Sequence, residues 1–445
     1  MDLEVVLLEA RERLGGTIHT ERLEGFLIEA GPDSFLSEKP WALALCRRLG
    51  IEHRLVRTDD RYRTTFVWFG GRLHPLPDGF QLLAPTRLGP FVRSRLFSWR
   101  GKGRMALDLL LPRAPGGDDE SLGAFVRRRL GREALERVAQ PLVAGIYTAD
   151  PEDLSLRATM PRFLDLERAQ RSVILGLWRA ARRVPATGAS GARWSLFVSL
   201  ADGMAELIDA LAARLPAGAV RLNERVTAVE RRGERWRLEA GSLEPLEADR
   251  VVLATESHAA GRLLRYVDPS LAAMLQGIAY ASSATVSLGY HRDEVPHPLD
   301  GFGFVVPRAE GRDLLACTFS SVKYPGRAPT GFVLLRCFLG GALNATALSD
   351  GDDELARRAR RELKAALGVE AEPVLTRVAR HPAAMPQYRV GHLLTVEAIK
   401  ARLEALPGLG LAGAGYRGVG IADCVRSGEA AAERALLGAP LSAGP

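Results

Sequence analysis

Cysteine is scarce: Cys46, Cys317, Cys337 and Cys424 are the only four in 445 residues, and no two stand at a C-x-x-C spacing. That excludes a disulfide framework and a structural zinc site, and the four are read as reduced thiols. The eight histidines form no H-E-x-x-H or His/carboxylate cluster, so no metal site is expected. No stretch of about 18 apolar residues is present to span a membrane. The start lacks the basic-then-apolar layout of a signal peptide, which makes the cytoplasm the expected compartment. Lysine is also rare. Only Lys39, Lys102, Lys323, Lys364 and Lys400 accompany the arginines among 60 cations, and the net charge is +7. Arginine keeps its charge and grips carboxylates with a planar fork, which suits acidic small molecules. The arginines are scattered without a nucleic-acid motif, so nucleic acid is not an expected partner.

What is present is globular: 47% apolar and 25% charged residues, enough for two or three cores. Residues 4–9 form an apolar run ending in an acid, as in a parallel strand buried on both faces. Strand pieces are predicted at 25–31, 65–73, 220–229, 235–240 and 251–254, and helices at 39–49, 352–367 and 422–437. Between 76 and 194 the pattern turns mostly helical, with two helical stretches around 120–145 and one around 165–183. That insert opens on a segment mixing Phe91, Phe97 and Trp99 with cations. Such a segment suits either anionic lipid headgroups or a surface helix with snorkelling arginines. The fold class is α/β: a dinucleotide-binding domain, a mixed-sheet substrate domain and a helical insert. The expected division gives residues 1–60, 195–257 and 390–445 to the first, 61–75 and 258–389 to the second, and 76–194 to the third.

Gly413-Ala-Gly-Tyr-Arg-Gly418 is a literal G-x-G-x-x-G between a strand and a helix. Such a turn lets backbone approach a ligand, and the helix start favours negative charge. Its context does not match a diphosphate fingerprint, which needs a further strand with an acid about 20 residues on. Glu9 supplies the complementary half. It stands at a strand's carboxyl end, where a dinucleotide fold accepts ribose hydroxyls, and Arg13-Leu-Gly-Gly16 follows.

These segments together resemble the oxygen-dependent protoporphyrinogen oxidase and coproporphyrinogen III oxidase family, flavoproteins of the monoamine oxidase and phytoene desaturase superfamily. The resemblance spans nearly the whole chain. It rests on Glu9-Ala-Arg-Glu-Arg13-Leu-Gly-Gly16, Gly31-Pro-Asp-Ser-Phe35, Gly301-Phe-Gly-Phe-Val-Val-Pro307, Pro386-Gln-Tyr388 with Gly391-His392, and the run from Ala412 to Gly428. It implies FAD as cofactor, with Glu9 on the adenosine ribose, Ala10 beside it and Arg13 near the diphosphate. Gly15, Gly16 and Thr17 would line the cofactor, with Gly31, Pro32, Asp33 and Ser34 beside the flavin and Val226 meeting the adenine. Gly413 would approach the cofactor, and Val419, Gly420 and Ile421 would cap the pyrimidine side of the ring. For the tetrapyrrole the matching positions are Thr65, Gly145, Phe302, Val305 and Phe338.

The implied reaction aromatises a porphyrinogen to its porphyrin in haem biosynthesis, with O2 as acceptor and hydride transfer to flavin N5. No side chain is assigned a catalytic role; Asp33 and Lys39 are the nearest to test. Two departures qualify the match. Met1 falls where the family's second strand begins, so an upstream strand and glycine-rich turn are expected from a start assigned too late; a truncated copy is the alternative. Some relatives carry an arginine for a substrate propionate where Thr65 stands, and Arg61, Arg63 or Arg72 would have to replace it. The substrate is therefore open between coproporphyrinogen III and protoporphyrinogen IX, with a lean to the former. The rival readings are an amine oxidase or carotenoid desaturase of the superfamily, and a non-catalytic scaffold. Peripheral contact with the inner face of the membrane and a homodimer are both compatible with the resemblance.

Overall fold

The computed structural model describes residues 3–81, 83–114, 116, 118–183, 196–241 and 244–437. Its largest sheet has seven strands in the order Leu375–Pro386, Tyr280–His291, Phe332–Gly340, Leu314–Phe319, Gly303–Val305, Thr65–Phe69 and Arg72–Pro75. The last two enter from far upstream in the chain. They form a hairpin because Gly70 and Gly71 both take positive φ, 60° and 71°, as a tight two-residue turn requires. Thr65–Phe69 then runs parallel to Gly303–Val305, pairing Thr65 with Gly303.

Helix Asp352–Leu367 covers one face of this sheet. Asp352, Asp353 and Glu354 suit the positive helix start, and Gly368 ends it with φ 74°. Leu355, Ala359, Leu363 and Leu367 fall four apart on one stripe and pack with Val286, Leu288 and Leu335. Burying each leucine contributes roughly 1.5–3 kcal/mol. The hairpin Thr20–Leu23 with Phe26–Glu29 brings Phe26 and Ile28 against Leu334 and Leu375.

The dinucleotide half contains two separate parallel pairs: Leu7–Leu8 with Val220–Arg221, and Val251–Leu253 with Leu409–Leu411. Here the expectation of strands buried on both faces is corrected. Only Leu7 and Leu8 of the 4–9 run are in a ladder, while Leu3, Val5 and Val6 are 51%, 45% and 39% exposed and Val252 is 40% exposed. The reason is geometric: Leu3–Ala10 and Val251–Thr255 line the same cleft, so each run has an open side.

The helical region has its own core, and one helical stretch departs from the expected layout. The stretch around 165–183 is two helices, Pro161–Gln170 and Val173–Arg183, because Arg171 takes φ 64° between them. Its carbonyl accepts from the Arg129 guanidinium at 2.7 Å, and Arg129 also pairs with Asp108 in full burial. Asp108 in turn accepts from the Ile174 amide at 3.0 Å. The two stretches expected around 120–145 are helices Leu122–Arg129 and 132–147, the second carrying one π turn at Leu135–Ala139. In the basic aromatic segment Phe91 and Phe97 are buried, Phe97 stacking on Phe80. Lys102 donates to the Val92 carbonyl and lies 4.4 Å from the Trp99 ring, which stays exposed. The expected boundary at 194/195 lies outside the described residues.

Candidate functional site

One cleft of about 3470 Å³ runs from the two parallel pairs, past the segment after Phe26–Glu29 and the start of helix Ile421–Leu437, to the seven-stranded sheet. That is several times the volume of an ordinary small-ligand pocket, and it suits a dinucleotide with a second large molecule beside it.

At the first end Glu9 and Ala10 line the cleft with Val226 across from them. The Glu9 carboxylate accepts from the Arg11 amide at 2.8 Å, and its backbone is fixed by the Arg221 carbonyl at 3.0 Å and the Glu224 amide at 2.9 Å. Gly15, Gly16 and Thr17 follow on the wall. Arg13 is the one sequence-derived position absent from that wall. Its guanidinium turns onto the loop's own carbonyls: Leu14 and Ile18 at 3.1 Å and Gly16 at 2.9 Å. Arg11 lines the cleft instead.

Gly31, Pro32, Asp33 and Ser34 line the middle. A Cβ on Gly31 would stand 1.7 Å from the Thr17 carbonyl oxygen, so the two backbone segments touch and only glycine fits. Facing them are Gly413 and the turn Val419-Gly420-Ile421, where helix Ile421–Leu437 begins. Ser427 Oγ accepts from the Gly413 amide at 3.0 Å and holds that turn on its own helix. Lys39 bridges the two walls, donating to both Asp423 carboxylate oxygens at 2.7 and 2.6 Å. The start of this helix lies on the cleft wall, where a helix N-terminus favours an electron-rich ligand edge.

Asp33 is held by Lys323 at 2.9 and 3.1 Å and by Ser34 at 2.7 Å. Burial alone would raise its pKa, but the charges of Lys323 and Arg336 and these hydrogen bonds outweigh that and hold it well below the usual carboxylate range. So weak a base does not accept a proton near neutrality. Asp33 and Lys39 are both ion-paired, which makes them anchors of the walls.

At the far end Thr65, Phe302, Val305 and Phe338 line the cleft from the large sheet, and Gly145 lines it from helix Gln140–Tyr147. A Cβ on Gly145 would reach Val305 at 3.8 Å, so the two walls are close. Of the three arginines considered at Thr65, only Arg63 lines the cleft; Arg61 is paired with Asp59, and Arg72 lies on the exposed side of its hairpin. Sequence reading missed Lys323, Arg336, Thr285 and His381, which also line it. A signal for two of them was there: Lys323 is one of five lysines, and Arg336 is the only charge in the apolar strand Phe332–Gly340.

The donor set fits FAD: a strand-end acid, a glycine-only backbone approach, a helix start and a cleft of sufficient length. Among the described residues no group of three His, Cys, Asp or Glu side chains could hold a metal ion.

Comparison with known proteins points the same way. Residues 2–436 match the model of the family described as flavin containing amine oxidoreductase. A Bacillus subtilis (strain 168) protein named coproporphyrinogen III oxidase is 36% identical over 98% of this chain and 92% of its own length. The protoporphyrinogen oxidase of Bos taurus is 34% identical over 97% of this chain and 93% of its own. Among solved structures, a candidate protoporphyrinogen oxidase from Exiguobacterium sp. 255-15 superposes with a TM-score of 0.84 at 32% identity, over 96% of this chain and 91% of that one. Cyclohexylamine oxidase from Brevibacterium oxydans IH-35A shares the fold at a TM-score of 0.64 and 17% identity. The chain belongs to the flavin-containing amine oxidoreductase family, and within it to the group of protoporphyrinogen and coproporphyrinogen III oxidases.

Proposed function

We propose that this protein is an FAD-dependent oxidase that converts a porphyrinogen to the porphyrin in haem biosynthesis, with O2 as the acceptor. One observation carries the reading: a single cleft joins the cofactor-lining segments to a clamp of Gly145, Phe302, Val305 and Phe338. A broad apolar slot suits a large uncharged ring with carboxylates at its rim. FAD, when bound, supplies an acceptor for two electrons and a proton. The chain's own residues do the rest. Phe302 and Phe338 hold the macrocycle flat, Val305 and Gly145 set the slot's width, and the enclosed walls keep water from the reacting carbon. Glu9 would take the ribose hydroxyls, the 31–34 segment would lie beside the flavin, and the helix start at Ile421 would favour the negative charge the flavin gains.

Within this reading coproporphyrinogen III is the preferred substrate. Arg63 lines the cleft beside Thr65, and Arg162 lines it beside Phe163. Two guanidinium groups on different elements suit a substrate with carboxylates on several sides. An amine oxidase would need an aromatic cage near the C-terminal turn. Tyr416 does not serve, since it packs into the core with Trp236 and Leu403.

The test is porphyrin fluorescence in air, with purified protein, FAD and each porphyrinogen in parallel. A rise well above autoxidation, faster with coproporphyrinogen III, is expected. A faster rise with protoporphyrinogen IX reverses the substrate preference, and no rise with either overturns the function.

A further inference from the structure

Beneath the Ala30–Ser34 segment lies a group of charges that the proposed reaction does not use. Arg336 is 4% exposed and its pKa is lowered by that burial, yet it makes no ion pair within 4 Å among the described residues. One of its terminal nitrogens donates to the carbonyls of Ala30, at 3.0 Å, and Gly31. Its Nε–H is buried without a partner. Nearby, Asp33 is matched by Lys323 at 2.9 Å, and Glu29 faces Arg327. That makes three cations against two carboxylates, and burial raises the pKa of Glu29, which thins the negative charge further.

A buried, unmatched guanidinium is costly, so its retention calls for a return elsewhere. Holding the Ala30 carbonyl is not that return. Thr285 Oγ1 at 3.1 Å and His381 Nε2 at 2.8 Å already reach this oxygen, and it has two lone pairs. A neutral donor on the strand would complete the clip equally well. What only a cation adds is a fixed positive potential in a low-dielectric wall of the cleft, which Arg336 and Lys323 both line.

We propose that Arg336, aided by Lys323 and offset by Asp33, sets the reduction potential of the bound flavin. The inference rests on the reading that residues 31–34 lie beside the flavin. In the proposed reaction one bridging C–H bond of the porphyrinogen breaks and its hydrogen passes to the flavin with both electrons. The flavin gains one negative charge. The macrocycle is left one charge more positive and sheds a pyrrole N–H proton. O2 then takes the two electrons, the transferred hydrogen as a proton and one proton from solvent, giving hydrogen peroxide. A positive charge near the ring lowers the free energy of its electron-rich form, so Arg336 is a positioning charge that favours the first half of the cycle.

The experiment measures the midpoint potential of bound FAD, and the dissociation constant of sulfite, which adds to oxidised flavin to give an anionic adduct. The chain is compared with Arg336→Met, Arg336→Lys, Lys323→Met and Asp33→Asn. The sign order is the test. Arg336→Met and Lys323→Met should weaken sulfite binding tenfold or more and move the two-electron potential down by about 30 mV for each tenfold change. Asp33→Asn should move both quantities the opposite way, and Arg336→Lys should stay near the parent. Shifts that all share one sign, or that stay within twofold, would overturn the proposal, since a purely structural clip predicts no ordering by charge. If Arg336→Met does not fold, the isosteric Asp33→Asn and the charge-keeping Arg336→Lys decide the question alone. A parent protein that retains no FAD would instead overturn the reading of the site.

Discussion

At Gly31 a single missing carbon holds two backbone segments together. With the Thr17 carbonyl 1.7 Å from where a Cβ would be, Gly31→Ala must push apart the loop of Gly15–Thr17 and the Pro32–Ser34 wall. Overpacking of this kind costs roughly 1–3 kcal/mol, and here the obstacle is backbone, which yields poorly. The expected outcome is a lower melting temperature together with loss of FAD, read as the ratio of flavin to protein absorbance. Full FAD content at an unchanged melting temperature would contradict the contact. Two histidines, His392 buried and His381 half-buried, make a second prediction of this kind. His381 Nε2 meets the Ala30 carbonyl at 2.8 Å, and His392 Nε2 meets the Tyr416 carbonyl at 2.9 Å. Burial lowers the pKa of both, against a smaller rise from these hydrogen bonds. The unfolded chain then binds more protons than the native one as pH falls below the ordinary histidine value near 6.5. Their stabilising contribution is complete above that pH and is lost on acidification towards the lowered folded values. The slope per histidine is about 1.4 kcal/mol per pH unit at most. Denaturant midpoints measured between neutral and mildly acid pH should fall, and His381→Gln should flatten the fall.

Between elements, the decisive distance is that from helix Gln140–Tyr147 to strand Gly303–Val305. Gly145 leaves room against Val305, so Gly145→Leu would fill the slot from the helix side without touching the cofactor-lining segments. kcat/KM for the porphyrinogen should drop at least tenfold while FAD content and melting temperature stay at the parent values; an unchanged kcat/KM would remove the clamp from the site. This is also the scale at which the sequence was most and least informative. Helices ending in glycine and starting with acids, such as Asp352–Leu367, were legible, because local chemistry writes both ends. The strand piece expected at 65–73 is instead two antiparallel strands, because Gly70 and Gly71 turn the chain back on itself. The break at Arg171 was not legible, since a non-glycine residue there adopts positive φ only because the distant Arg129 holds its carbonyl. Exposure of Val5, Val6 and Val252 was hidden too: an apolar run states that a strand is meant to be covered, and not whether anything covers it. At the site, glycines and strand-end acids carried their meaning in spacing, whereas Arg336 and Lys323 reach Ala30 and Asp33 through side-chain hydrogen bonds between segments some 300 positions apart.

Over the whole molecule, the surface that calls for a use is the outer side of the helical region. Leu88, Val92, Trp99, Leu107 and Leu110 are exposed, Trp99 and Leu110 by 73% and 72%, and Arg87, Arg93 and Arg100 lie among them in sequence. No described helix is long and apolar enough to cross a membrane, so any lipid contact would be interfacial. Five large apolar side chains with cations between them suit the headgroup region of an anionic bilayer. Inserting one leucine or tryptophan contributes roughly 1.5–3 kcal/mol, and each nearby arginine about 1 kcal/mol. The holoenzyme should therefore co-sediment with vesicles of mixed anionic and neutral phospholipid, less so as salt rises. The double variant Trp99→Glu with Leu110→Glu should bind at least tenfold more weakly with its activity on detergent-dispersed substrate intact. If the patch is instead the seat of a second copy, vesicle binding will be absent, and light scattering will give twice the chain mass for the parent and the single mass for the variant. The two outcomes exclude each other, because the same five side chains cannot face lipid and a partner at once.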